Sequence, residues 1–313
     1  MHLNVPITSI DTLENRLSYG VKEIYFGVKD ELYTNLSFTG RGNYGRFSKI
    51  NLDKNEASYA VKYAHEHGAL ANILVNTNFF SNIKGEGGIC TNDYLKYYVD
   101  SIMKYEPDAI VVGNIGILGW IAKQQYPVKI HASVFLNTQN IEQIMWLIDM
   151  GVSRVILPYQ VTLREIKEMC AFKLMEIEIP GYKGCSFYNG MCSFLHEYSE
   201  NKAGLIEIGP TCKKQFDICI NSKNIKAPIF DVEKTCSLCK IAELNRIGVT
   251  TLKIVGRESS YNEVNNVIDA YQKKLDGKKV EIPKWWQRKW CSQQRCKFAD
   301  TDIDKFTIGG LYE

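Results

Sequence analysis

Eight short apolar runs, rich in β-branched residues, alternate with eight stretches of helical period, and a chain patterned that way folds as repeated βα units. The runs are HLNVP from His2, EIYFGV from Glu23, ANILVN from Ala71, AIVVG from Ala109, KIHAS from Lys129, RVILP from Arg154, MEIEIP from Met175 and TLKIVG from Thr251. Helices are predicted near 9–18, 53–67, 93–105, 116–125, 138–150, 162–171, 237–247 and 261–275. Ser9 and Asn51 carry helix-start signals, and Gly20, Gly68 and Gly151 carry stop signals. Eight strands each followed by a helix predict an α/β fold, a (β/α)8 TIM-like barrel over residues 1–275. The rival arrangement is an open doubly wound sheet. A chain of 313 residues has room for the barrel, which usually needs roughly 250. With 45% hydrophobic and 23% charged residues the composition is that of a globular protein, not a disordered one.

The regular spacing breaks once. Between the seventh strand and its helix the chain runs long, and six of the ten cysteines fall there, at Cys185, Cys192, Cys212, Cys219, Cys236 and Cys239. Loops that follow barrel strands build the active face, so the loop spanning 181–240 is the expected functional element. The N-terminus MHLNVPITSI lacks the basic and apolar regions of a secretory leader. No apolar run approaches the roughly 18 residues of a membrane span, so a cytoplasmic protein with no membrane span is expected. Disulfides do not persist in such a compartment, which leaves a metal, an iron–sulfur cluster or buried structural thiols. Zinc ribbons favour close cysteine pairs, and Cys236 and Cys239 form the one such pair in this loop. Clusters accept scattered cysteines more readily.

Other motifs carry less. GRGNYG at 40–45 lies a dozen residues past its strand and is a poor dinucleotide turn. GNIG at 113–116 could hold an anion at a helix start. His65 and His67 cannot share a helix face, and neither H-E-x-x-H nor G-x-S-x-G occurs, which argues against a zinc protease or a serine hydrolase. Asn76, His131, Ser133, Glu178 and Arg257 fall on or just past strands and are placed together at the carboxyl rim. Arg257 suits a carboxylate or phosphate, or an ion pair with Glu178. Residues 276–313 form a C-terminal extension in which basic residues accompany Trp285, Trp286 and Trp290. It reads as an arm packed over the barrel or as an RNA-stacking surface, although a net charge of +3 implies no nucleic acid by itself.

Several segments together resemble peptidase family U32, the collagenase-like peptidases. SYGVKEIYFGV, YAVKYAHEHGALANILVN, GVSRVILP and GVTTLKIVGR match elements along nearly the whole barrel. Most specific is EIEIPGYKGCSFYNGMC, which supplies Glu176, Gly181, Cys185, Gly190 and Cys192. The resemblance implies a 4Fe-4S cluster on Cys185, Cys192, Cys212 and Cys236, with Cys239 as the alternative fourth ligand and zinc as the alternative metal. It leaves Cys90, Cys170, Cys219, Cys291 and Cys296 without a role. The implied activity is an oxygen-independent hydroxylation, or related redox modification, of a small aromatic or quinone precursor or of RNA, with Arg257, His131 and Asn76 orienting substrate. The alternatives are a peptidase and a non-catalytic iron–sulfur subunit working with a protein partner of the same family. The chain departs from the family pattern where Tyr159-Gln160 replaces Arg-Glu and Asn114 replaces Asp.

Overall fold

The structure is a computed structural model that describes residues 1–29, 50–76, 91–183, 215–220, 222–227, 236–257, 259–280 and 298. Eight parallel strands close a barrel: β1 (His2–Pro6), β2 (Glu23–Phe26), β3 (Leu70–Val75), β4 (Ala109–Val112), β5 (Lys129–Ala132), β6 (Val152–Ile156), β7 (Glu176–Tyr182) and β10 (Thr251–Ile254). The barrel closes where β1 pairs with β10, with His2 opposite Thr251. Each run read as a strand is a strand, and the doubly wound sheet is excluded. Around it lie α1 (Ile10–Ser18), α2 (Lys54–Glu66), α3 (Thr91–Met103), α4 (Ile115–Gln124), α5 (Ile141–Asp149), α6 (Leu163–Ala171), α7 (Ile241–Ile247) and α8 (Tyr261–Leu275). An antiparallel hairpin, β8 (Phe216–Ile220) and β9 (Lys223–Ala227), sits within the cysteine-rich segment, where no strand was expected. Among the described residues no helix is long and apolar enough to cross a membrane.

Local chemistry starts the helices. Ser9 and Thr12 form a reciprocal cap at α1, and Thr162 and Glu165 do the same at α6. At α2 the cap is Asp53, whose carboxylate accepts from Asn55 and Glu56, and not Asn51 as the sequence suggested. The last helix, α8, buries Val264, Val267, Ile268 and Tyr271, one apolar stripe at helical spacing. These faces meet the outward side chains of the strands, such as Leu3, Phe26, Ile73, Val112 and Leu252, in one continuous core. Phe298 is fully buried in that core. The remaining extension, including Trp285, Trp286 and Trp290, lies outside the described residues apart from 276–280.

The inward side chains are unusual. Barrel interiors are ordinarily filled by bulky branched residues. Here Tyr25, Leu74, Val111 and Ile156 make an apolar layer, while Asn4, Glu23, Asn72, His131, Arg154, Glu178 and Lys253 are buried and polar. Arg154 Nη1 donates to Glu23 at 2.5 Å and to Glu178 at 3.1 Å, and its Nη2 lies 2.6 Å from Glu176. Lys253 Nζ donates to Glu178 at 3.0 Å while lying 3.8 Å over the Tyr25 ring. Glu178 is therefore no rim acid. As the third residue of β7 it points into the barrel, where Arg154, Lys253 and Asn4 hold it and Arg257 does not.

Removing one partner from a buried ion pair strands the other charge in a medium that solvates it poorly. Arg154→Met is accordingly expected to lower stability by about 3–5 kcal/mol, read from urea denaturation followed by circular dichroism. A loss below about 1 kcal/mol would show that the glutamates find another counter-charge.

Candidate functional site at the carboxyl rim of the barrel

The strand ends bring a set of mostly uncharged polar groups together. Asn76 directly follows β3, is 8% exposed, and its Oδ1 has no hydrogen-bond donor. Gly113 follows β4 and packs tightly against it. A Cβ there would stand 3.0 Å from Asn76 Oδ1 and 3.1 Å from Phe135 Cδ2, a fit that a methyl would make tight enough to displace its neighbours by a few tenths of an ångström. Ser133, at the end of β5, spends its hydroxyl on the backbone N–H of Phe135, starting a short 3-10 turn that presents the Phe135 ring. Beyond β6, Gln160 Nε2 donates to Asn137 at 2.7 Å, and its Oε1 is buried without a donor. Tyr159 and Phe135 pack onto the layer of Tyr25 and Leu74. Asn114 caps α4 by accepting from Gly116 and Ile117, work that an aspartate would do equally well.

Arg257, just past β10, is half-buried, and its Nη1 donates to Asn51 Oδ1 at 3.4 Å. Because Asp53 takes the helix cap, Asn51 stays at the rim, fixed by the neighbouring Leu52, whose N–H donates to the Gly27 carbonyl. His131 does not join Asn76 and Arg257 at the surface. It is the third residue of β5, 2% exposed inside the barrel, with neither ring nitrogen partnered. Burial, reinforced by the charge of Arg154, holds its pKa well below the usual 6.5, so the ring is neutral.

The cysteine-rich segment leaves and rejoins the barrel at one point. Cys236 makes an antiparallel bridge with Tyr182 at the end of β7. Ser237 donates its N–H at 2.9 Å and its hydroxyl at 3.2 Å to the Gly181 carbonyl, which also accepts from Tyr271 of α8. The Tyr271 hydroxyl lies 3.8 Å from Cys236 Sγ. Cys236 is half-buried, whereas Cys239 is exposed in a single 3-10 turn. Cys185, Cys192 and Cys212 lie outside the described residues, as do Cys90, Cys291 and Cys296. Cys170 is a core thiol that burial pushes up to about 11, and Cys219 is exposed on β8. Among the described residues no three of His, Cys, Asp and Glu converge. Of the four cysteines named for a cluster only Cys236 is described, and its partly exposed sulfur, of a type that soft metals favour, is held beside Tyr182, three residues before Cys185 in the sequence.

Comparison with known proteins then places the chain. The profile of peptidase family U32 matches residues 8–301. This chain belongs to that family. Among U32-type relatives, the tRNA hydroxylation protein P1 of Bacillus subtilis is 23% identical over 317 residues, covering 96% of this chain and 69% of that protein. The 23S rRNA 5-hydroxycytidine C2501 synthase of Escherichia coli is 21% identical, over 76% of this chain but only 36% of that enzyme. The tRNA hydroxylation protein P2 of B. subtilis is 23% identical, over 76% of this chain and 77% of that protein. In structure, the U32 peptidase Mk0906 superposes with a TM-score of 0.51 at 10% identity, covering 82% of this chain and 93% of that one, which bears on the fold alone.

Sequence reasoning missed Phe135 and the interior network of Glu23, Asn72, Arg154 and Lys253. A polar or charged residue within an otherwise apolar run, such as Asn72 in ANILVN or Lys253 in TLKIVG, was the available signal. The network has a pH signature. Burial favours a protonated Glu23, but hydrogen bonds from His2 and Asn72 and the charge of Arg154 outweigh it and hold its pKa near 2. Its contribution to stability is thus present above 4.5 and lost as pH falls toward 2. His131 acts at higher pH. Its unfolded form takes a proton below about 6.5 while the folded form resists, so stability falls on acidification from that point, by at most about 1.4 kcal/mol per pH unit. His131→Met should flatten the stability profile between about pH 6.5 and 5 while leaving the lower, Glu23-dependent loss in place. An unchanged slope in that variant would show that His131 is not the group responsible.

Proposed function

We propose that this U32 chain acts in the hydroxylation of an RNA base, at a barrel rim that carries a 4Fe-4S cluster on Cys185, Cys192, Cys212 and Cys236. The observation that carries the reading is the clamp that brings Cys236 to the same barrel rim as Asn76 and Arg257. It is supported by relatives named for tRNA and rRNA hydroxylation that cover 76–96% of the chain, which favours RNA over a small quinone precursor. When bound, such a cluster supplies one-electron redox chemistry. The chain's own residues bind and orient. Arg257 offers a planar fork of donors to a phosphate or another anionic group. Asn76 and Gln160 offer buried amide oxygens.

Peptide hydrolysis, which the family name denotes, has less support. Among the described residues no histidine hydrogen-bonds a serine or cysteine: His2 meets Glu23, His65 meets Asp108, His67 meets a backbone carbonyl and His131 meets nothing.

Protein purified without air should be brown, with about four irons and four sulfides per chain, and should bleach in air. Serine at Cys185, Cys192, Cys212 or Cys236 should remove most of the absorbance, because a hydroxyl is a poor ligand for iron. Retention in Cys236→Ser with loss in Cys239→Ser would transfer the fourth ligand to Cys239. Stoichiometric zinc in place of iron would defeat the cluster assignment. Cells expressing the chain should contain an RNA nucleoside heavier by one oxygen, detected by mass spectrometry of digested RNA and absent without the gene.

Arg257→Lys keeps the charge and loses the fork, so it should retain its iron yet form product roughly a hundredfold more slowly, as misplacement by about 1 Å allows. Equal product per cluster in the two proteins would remove Arg257 from the site.

A further inference from the structure

The proposed function leaves general the task of two buried amide oxygens, beyond β3 and β6, and of the aromatic ring beyond β5, a strand that lies between those two. Asn76 is more than nine-tenths buried, yet its Oδ1 accepts nothing, and Gln160 Oε1 is likewise buried and without a donor. Folded proteins rarely leave such acceptors empty, and where they do a functional role, strain or a bound water or ion is the usual reason. Neither amide is left loose. Gly113 lets Asn76 and Phe135 close over its backbone to about 3 Å from where a Cβ would stand. Gln160 is fixed by its bond to Asn137, which occupies a left-handed backbone conformation at φ +54. The ring of Phe135 is partly exposed and backed by Tyr25, Leu74 and Tyr159, so it presents a supported flat surface beside the amides.

We infer that Asn76, Gln160 and Phe135 form a base-reading subsite, which takes an unpaired pyrimidine stacked on Phe135, the amide oxygens accepting from the exocyclic amine of a cytosine or one of them from the single ring N–H of a uracil. Acceptors select the ligand's edge. Cytosine offers its exocyclic amine and uracil its ring N–H, whereas a phosphate or sugar-only ligand gives a poor match to paired acceptors beside an aromatic face. The inference rests on the RNA reading above and adds to it which part of the RNA enters the rim and what the rim reads.

The test is binding, measured with the cluster-loaded full chain and short single-stranded RNAs carrying one central pyrimidine. Two pairs of probes are compared: cytidine against N4,N4-dimethylcytidine, and uridine against 3-methyluridine, in which methylation removes the donors. Wild type should bind the unmethylated member of at least one pair roughly tenfold more tightly, and Asn76→Leu should abolish that preference while still binding RNA. Because leucine removes an empty buried acceptor at similar volume, the variant should also melt at or above the wild-type temperature. Gly113→Ala, which pushes a methyl toward Asn76 Oδ1, should reduce the preference in the same way. Equal binding of both members of both pairs by wild type, or an undiminished preference in Asn76→Leu, would overturn the subsite and leave the RNA reading standing. A marked drop in melting temperature for Asn76→Leu would also overturn it, by assigning Asn76 a structural bond. Failure to bind any of the RNAs would overturn the RNA reading itself.

Discussion

The guanidinium of Arg154 stands between two fully buried glutamates, and the geometry of the barrel depends on that arrangement. Glu23 comes from β2, Glu178 from β7 and Arg154 from β6, so one side chain ties together strands on different sides of the interior. Lys253 from β10 adds a second cation on Glu178. Two acids and two bases at this depth balance, which is the condition for keeping ions in a medium of low dielectric. The arrangement also fixes register. A slip of one residue in β6 would turn Arg154 out toward the helices and leave both glutamates unpaired, an error far costlier than misplacing an aliphatic side chain. Burial keeps the His131 ring neutral, and the charges of Arg154 and Lys253 nearby reinforce it.

A second constraint holds the functional end. Roughly fifty residues separate Lys183 from Cys236, and closing an excursion of that length carries an entropic penalty that grows slowly with length. The Gly181 carbonyl absorbs it locally, accepting from the Ser237 backbone, the Ser237 hydroxyl and the Tyr271 phenol. Tyr271 belongs to α8, which packs on β1 and β10. The helix that completes the barrel is thus also the support of Cys236. Damage to α8 therefore reaches Cys236 through one hydroxyl, without any change in the cysteine itself.

The fold was legible because its signals are local. Short apolar runs rich in β-branched residues, alternating with stretches of helical period, marked the strands, and signals such as Ser9 and Gly20 marked a helix start and stop. What failed were features set by the third dimension. Asn51 looked like a cap because it precedes a helical run, but Asp53 is better placed to reach the first free N–H groups. Glu178 looked like a rim acid because barrel strands end in function, yet residue parity and depth along β7 put it inside. The β8–β9 hairpin went unread because its flanking residues gave the segment the look of an irregular loop. For the site, Asn76 and Arg257 were found from strand ends, whereas Gln160 appeared only as a departure from the family pattern. Its meaning needed the bond to Asn137 and the empty oxygen beside it.

Several buried polar groups among the described residues are empty, and two of them, His131 and Asn76, carry different messages. His131 is enclosed among charges that disfavour its protonation, so its missing partners cost the fold little beyond desolvating a neutral ring. Asn76 sits where the barrel opens, packed closely against Gly113 and adjoining a supported aromatic ring. A deep orphan of the first kind follows from packing seven polar residues into a closed cylinder. An orphan of the second kind is left at the position where barrels of this architecture receive their ligands. The strand ends add Lys29, Lys183 and Arg257, of which Lys183 meets the acid Glu263 at 2.9 Å. Under the RNA reading proposed above, Arg257 would add affinity through phosphate charge while the neutral amides of Asn76 and Gln160 give discrimination.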